Sequence, residues 1–259
     1  MLSSDAGDKK TLSQQRFGQL AQAYVDSATH AKGADLEYML EIAKPQSTWS
    51  VLDVATGGGH TALKFAAYVA SVVAADISPR MLGIARDFVD RDNVIYIATD
   101  AENLAFAENT FDLVTCRIAP HHFPDCFRFV QECARVIKPG GKLLVQDMTV
   151  PENERAARYV DAFERLRDPS HDRAYVDYEW EGMFLDAGLS VEQSMKLSKP
   201  AKLLDWAERQ NCSSETIEKL QIMLAQAPDD VAEFLRPCHV ATDDAGFDHN
   251  YVITLGVKI

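Results

Sequence analysis

The chain has 259 residues, 47% hydrophobic and 25% charged, enough to bury the core of one large domain. Asp and Glu outnumber Lys and Arg by 39 to 26, and the net charge of −13 repels polyanions, so DNA and RNA are disfavoured as partners. No apolar run approaches the roughly 18 residues of a membrane span, and the polar N-terminus lacks the apolar stretch of a signal peptide.

A cytoplasmic location is therefore expected. The five cysteines, Cys116, Cys126, Cys133, Cys212 and Cys238, are odd in number and form no Cys-x-x-Cys pair, which suits reduced thiols. Arg155, Arg158, Arg165 and Arg167 alternate with Glu152, Glu154, Asp161, Glu164 and Asp168 and read as a solvated helix face.

In chain order, residues 1–10 are polar and expected to be disordered. From Leu12 to Lys44 the apolar spacing is helical, through Phe17, Leu20 and Tyr24 and then Leu36, Met39, Leu40 and Ile42, with a break at Thr29–Gly33. After Pro45 comes the apolar run Val51–Val54, which leads into Gly57-Gly58-Gly59 and a helix from Thr61. A strand, a glycine turn and a helix at the head of an alternating chain mark the ligand end of an open α/β sheet. Helix N–H groups then face the crevice.

Val72–Ala75 is a second strand closed by Asp76. Ser78 caps the next helix, with Pro79 in its first turn. Val94–Ala98 is a third strand, ending at Asp100-Ala101-Glu102. A fourth runs to Cys116 and exits through Arg117-Ile118-Ala119-Pro120-His121-His122. Phe123–Val136 is an amphipathic helix. Lys138–Lys142 is a tight turn before a fifth strand, Leu143–Met148. Residues 152–188 are helical with a joint at Asp168–Asp172, Leu189–Leu197 is a sixth strand, 200–236 is helical, and Asn250–Val257 is a last strand.

The glycine pattern alone does not name a ligand. Gly57-x-Gly59-x-x-Ala62 fits a loose dinucleotide fingerprint. Asp53, four residues earlier on the strand, would repel a pyrophosphate but attract a ligand carrying an ammonium and a sulfonium, such as S-adenosyl-L-methionine. Asp76, 23 residues on, can accept both hydroxyls of a ribose, as an acid about 20 residues on does in dinucleotide sites. Asp100 can take the exocyclic amino group of adenine.

The run Leu52-Asp53-Val54-Ala55-Thr56-Gly57-Gly58-Gly59-His60 resembles the first motif of class I S-adenosylmethionine-dependent methyltransferases, in the ubiquinone/menaquinone-biosynthesis-like branch. Ala55 stands where the usual motif has glycine. Asp76–Leu82 resembles the second motif, Asp100–Phe106 the third, and Lys138–Lys142 a late one. The resemblance implies a Rossmann-like α/β fold with a seven-stranded, mostly parallel sheet whose last strand is antiparallel. It also implies lid helices at residues 1–45, a cofactor core at 46–150 and acceptor-side helices and strands at 151–259, all in one domain.

On this reading Asp53, Ala55, Thr56, Gly57, Gly59, Asp76, Ile77, Met81, Asp100, Ala101, Glu102 and Arg117 bind S-adenosyl-L-methionine. Tyr24, Ser27, His30 and Gly33 come from the segment that folds over it, although Tyr24 and His30 could equally pack against the core. Arg117 could instead hold an acidic substrate or pair with an acidic neighbour.

Methyl transfer mainly requires alignment, exclusion of water and removal of a proton where the acceptor carries one. His121 and His122, beyond the fourth strand, are the candidate base or acceptor-orienting groups, a neutral imidazole having about the right basicity. Cys116, His121, His122 and Cys126 match no zinc spacing, so no metal is expected. The acidic exterior and helical cap suggest a small, partly apolar metabolite as acceptor, and a homodimer is allowed. Two alternatives stand beside this reading: an NAD-dependent oxidoreductase and a domain that binds the donor without catalysis.

Overall fold

The computed structural model describes residues 2–25, 34–240 and 242–259, except for the side chains of 2–6, 20–25 and 34. Seven strands form one sheet: β1 (Ser50–Val54), β2 (Ser71–Asp76), β3 (Val94–Ala98), β4 (Phe111–Arg117), β5 (Ile137–Met148), β6 (Leu189–Lys202) and β7 (Gly246–Lys258). Their order is β3-β2-β1-β4-β5-β7-β6. Neighbours from β3 to β5 are parallel, and β7 runs antiparallel to both β5 and β6.

Near-continuous apolar runs in β1 and β2 reflect burial on both faces. Alternate residues go to opposite sides, so that Leu52 and Val54 enter one core and Val51 the other. Helices α2 (Ala34–Ala43), α3 (His60–Ala66) and α4 (Pro79–Phe88) contribute to the core on Val51's side. On the opposite face lie α5 (Cys126–Val136) and α7 (Asp177–Asp186), with Phe129, Trp180 and Phe184 fully buried.

A third core joins α6 (Glu154–Arg167), α8 (Leu203–Glu208), α9 (Ser214–Ala225) and α10 (Asp229–Leu235) to the start of β7. Its centre is aromatic: Phe163 stacks on Trp206 with ring centroids 5.1 Å apart, and Trp206 meets Phe247 edge-on at 5.0 Å.

Three sequence expectations are corrected. The N-terminal residues are helical: α1 spans Leu2–Val25, and its Lys9 and Lys10 are tied by ion pairs to Asp172 and to Asp100 and Glu102. The break expected at Thr29–Gly33 lies outside the described residues. Lys138–Gly141 belongs to β5 rather than preceding it. It forms an irregularity in the pairing with β4, where Phe111 faces Ile137 but Leu113 already faces Lys142. Finally, β6 and β7 run longer than alternation suggested because each pairs with the other along 13 register positions.

Candidate active site

The carboxyl ends of β1–β4 open onto one cleft holding about 1100 Å³ of space, the solvent at its mouth included. At β1 the backbone enters the left-handed region at Ala55 (φ 52°) and again at Gly57 (φ 53°) and Gly59 (φ 86°), turning the chain into α3. A Cβ at Gly59 would stand 2.6 Å from Val89 Cγ2, so that glycine allows α3 to pack on the end of α4 and does not line the cleft. Ala55, Thr56 and Gly57 do line it.

Asp53 stands behind this wall, not in it. Its oxygens accept from the hydroxyls of Thr56 (2.6 Å) and Thr115 (2.7 Å), and the side chain is buried. The direct grip on a ligand's ammonium expected from sequence is therefore corrected: the carboxylate braces the loop and adds negative potential from beneath. Burial pushes its carboxyl up to about 6, although the two hydroxyls and Arg117 pull the other way.

Asp76 faces the cleft at the tip of β2. Oδ1 accepts the Ser78 N–H (2.8 Å) and Oδ2 the Gly57 N–H (3.0 Å). Each oxygen keeps a second lone pair for a ligand hydroxyl. Burial pushes this carboxyl up to about 6 against those backbone bonds. Ile77 and Met81 line the same wall, and Ser78 caps α4 as the sequence indicates.

At the tip of β3, Asp100, Ala101 and Glu102 line the cleft. Lys10 of α1 bridges the two acids, at 2.7 Å from Asp100 and 2.5 Å from Glu102. Sequence reasoning missed this lysine because it fell in the stretch taken as disordered. The signal was present: Lys10, Ser13, Gln14 and Phe17 recur at helical spacing, and all four line the cleft. Gln14 Nε2 donates to the Ile77 carbonyl (3.0 Å). Ser13 Oγ is buried against the cleft with no hydrogen-bond partner among the described residues. Of the other lid residues, the side chain of Tyr24 and all of His30 lie outside the described residues, as do Ser27 and Gly33.

The far end of the cleft begins at β4. Arg117 borders it but spends its Nε and Nη2 on Asp35 Oδ2 (3.1 and 3.0 Å), the acidic neighbour allowed by the sequence. Gln146 and Lys199 also reach Asp35. Burial opposes its ionisation, yet Arg117 and Lys199 outweigh burial and hold the carboxyl at about 2. Next comes Ile118 at φ 54°, a backbone region that β-branched residues avoid, with its side chain at the cleft.

The two histidines part company. His122 lines the cleft; His121 is not among the lining residues. His121 Nδ1 is bonded to the buried Asp147 (2.6 Å), and burial drives both away from their charged forms, the imidazole down and the carboxyl up. His122 Nδ1 lies 2.9 Å from the Ser170 carbonyl. A carbonyl only accepts, so Nδ1 carries the hydrogen and Nε2 is left with a lone pair. The His122 ring also meets Phe17 edge-on at 4.8 Å. Burial, then neighbouring His121, lower its pKa to about 3, which leaves the lone pair unprotonated at neutral pH but corrects the sequence expectation of an imidazole of ordinary basicity. Ser170 was not singled out in the sequence, because 48 residues separate it from His122.

Residues 52–145 match the methyltransferase domain family. An uncharacterized methyltransferase of Bacillus subtilis, YcgJ, is 34% identical over 220 residues, covering 84% of this chain and 87% of its own. The chain belongs to the S-adenosylmethionine-dependent methyltransferases. The crystal structure of a methyltransferase homologue from Bacillus halodurans C-125 superposes with a TM-score of 0.83 at 35% identity, covering 87% of this chain and 99% of that one. The ubiquinone/menaquinone C-methyltransferase UbiE of Cellvibrio japonicus is 35% identical over 133 residues, 49% of this chain and 53% of its own. The oxidoreductase alternative falls away.

The methyltransferase's donor is S-adenosyl-L-methionine, and the cleft suits it. Acidic groups stand at two strand tips where hydroxyl and amino groups can donate, and the Ser13 hydroxyl of α1, unpartnered among the described residues, borders the cleft. At Gly57 a Cβ would meet Met81 Cε at an ordinary contact distance, 3.7 Å, but on a left-handed backbone that side chains rarely adopt.

Proposed function

We propose that this methyltransferase modifies a small, partly apolar metabolite bearing an O–H, S–H, N–H or acidic C–H, seated between β4, Phe17 and His122. The His122 imidazole carries the reading: it borders the cleft, and the Ser170 carbonyl dictates its tautomer. Ile118, Ala119, Phe123 and Pro124 border the same region and supply apolar contact. On this reading Ala55–Gly57, Asp76, Ile77, Met81 and Asp100–Glu102 hold the donor. His122 orients the acceptor, and His121 with Asp147 supports it from behind.

When bound, S-adenosyl-L-methionine supplies a methyl group on a positively charged sulfur. His122 accepts the acceptor's hydrogen bond at Nε2 and takes its proton as the new bond forms. Asp168 favours the charged imidazole electrostatically, partly offsetting the cost of burial. Phe17 and the rest of α1 keep water from the reacting atoms.

Residues 1–45, 46–150 and 151–259 act as lid, donor core and acceptor side of one domain. All five cysteines are unpaired, which supports a cytoplasmic setting. No helix among the described residues is long and apolar enough to cross a membrane. A homodimer formed through the outer strand β6 would meet Lys196 and Pro200, which discourage edge pairing. The test combines calorimetry with S-adenosylhomocysteine and radiolabelled transfer to a panel of phenols, thiols, amines and carbon acids. His122→Ala should keep product binding and lose transfer. Transfer at the wild-type rate by His122→Ala would overturn the assignment.

A further inference from the structure

Asp168, at the carboxyl end of α6, does more than act on the His122 charge from a distance: it is buried and its hydrogen bonding is dense. Oδ1 accepts the N–H (3.0 Å) and the Oγ–H (2.6 Å) of Ser170, and Oδ2 accepts Gln210 Nε2 (2.7 Å). Arg16 of α1 completes the set. Its Nε lies 3.2 Å from Oδ1, and its Nη2 donates to Gln210 Oε1 (2.9 Å).

Ser170 is the residue whose carbonyl fixes His122. Its Oγ, having given its hydrogen to Asp168, stands 3.3 Å from His122 Nδ1 and can accept from the same N–H. The turn is strapped to the histidine pair a second time, through N–H bonds from Asp172 and Arg173 to the His121 carbonyl. A second ion pair, Lys9–Asp172 at 2.6 Å, joins α1 to the turn, but its lysine is 42% exposed and correspondingly weak.

We propose that Asp168 is a positioning residue, paired with Arg16 so that the helix covering the cleft also sets the orientation and tautomer of His122. This rests on the role given to His122 above. The chain of contacts runs Arg16, Asp168, Ser170, His122, and each link is a hydrogen bond or an ion pair. When α1 is in place, the turn is held and Nε2 faces the cleft. When α1 lifts, Asp168 loses its cation, the turn loosens, and Nδ1 loses its fixed acceptor. Donor enclosure and readiness of the proton acceptor are thereby one event.

The test uses full-length protein with ¹⁵N-labelled histidine, read by long-range ¹H–¹⁵N correlation, together with stopped-flow release of S-adenosylhomocysteine. Wild type should show His122 in the Nδ1–H form alone. Arg16→Met and Asp168→Asn should show both tautomers and release the product about fivefold faster, the loss of one partly exposed ion pair. Arg16→Lys should restore most of both signals. A single Nδ1–H form and unchanged release in Arg16→Met would overturn the proposal, whether or not Asp168→Asn folds. Failure of the underlying reading is distinguishable: wild type would then not bind S-adenosylhomocysteine, or His122→Ala would transfer methyl groups normally.

Discussion

Asp76 and His122 border one cleft but are held in different ways. Asp76 is gripped by two amide N–H groups, one two residues ahead of it and one on the loop of the neighbouring strand. His122 depends on a carbonyl 48 residues away in a turn that is itself tied to the N-terminal helix. The Asp76 end, where the donor is proposed to lie, is thus written into strand tips and glycine backbone, where local geometry leaves little choice. The His122 end, the proposed acceptor end, is assembled from distant pieces of side chain and loop, which can change without disturbing the sheet. Function varies on a shared fold through parts of the second kind.

The largest expected effect falls on the acceptor end alone. His122→Ala should slow methyl transfer by about 10²–10⁴-fold, the usual worth of a positioned proton acceptor, with the Kd for S-adenosylhomocysteine unchanged. Equal losses in both would break the separation between the two ends. Gly59→Ala strikes the donor end through folding: the left-handed backbone and the clash with Val89 should cost about 2–4 kcal/mol in urea unfolding.

Asp76→Asn should weaken binding of S-adenosylhomocysteine by about 10–100-fold, the worth of charge-assisted hydrogen bonds, and cost about 1–3 kcal/mol of stability because its amide nitrogen leaves one of the two backbone N–H groups without an acceptor. The smallest effect is a pH dependence. Burial raises the Asp76 carboxyl from 3.8 to about 6 in the free protein. A ligand that donates hydroxyls to the ionised form pulls that value down and releases a proton on binding. Affinity should therefore rise with pH through about 6, by less than tenfold per unit, and the rise should vanish in Asp76→Asn. A rise that persists in the variant would assign it to Asp53 instead, whose carboxyl is raised to the same range.

The donor end was legible because each of its parts carries a local signature. Gly57 to Gly59, Asp76 with the Ser78 cap, and Asp100 with Glu102 all follow directly on apolar strands. Even so, Asp53 misled. Position on the strand placed it near the site, but the choice of hydrogen-bond partner put its charge behind the wall, and Thr115 lies on another strand. The acceptor end was half legible: the His121–His122 pair stands out, whereas the residue that orients His122 does not. Only the first turns of the N-terminal helix, before Leu12, were hidden, by their own polarity. Much of its stabilisation comes from Lys9, Lys10, Gln14 and Arg16 meeting partners far along the chain, and an apolar stripe is a poor guide to a helix held that way.

Ala55 and Ile118, at the tips of two adjacent strands, each hold a backbone conformation that costs about 1–3 kcal/mol. At position 118 glycine would relax the chain but give up the packing of the isoleucine against the third core. The same exchange removes the isoleucine that borders the acceptor pocket and frees the loop carrying His122. On the proposed function, relief of strain at this strand tip is therefore coupled to the shape of the space beside His122.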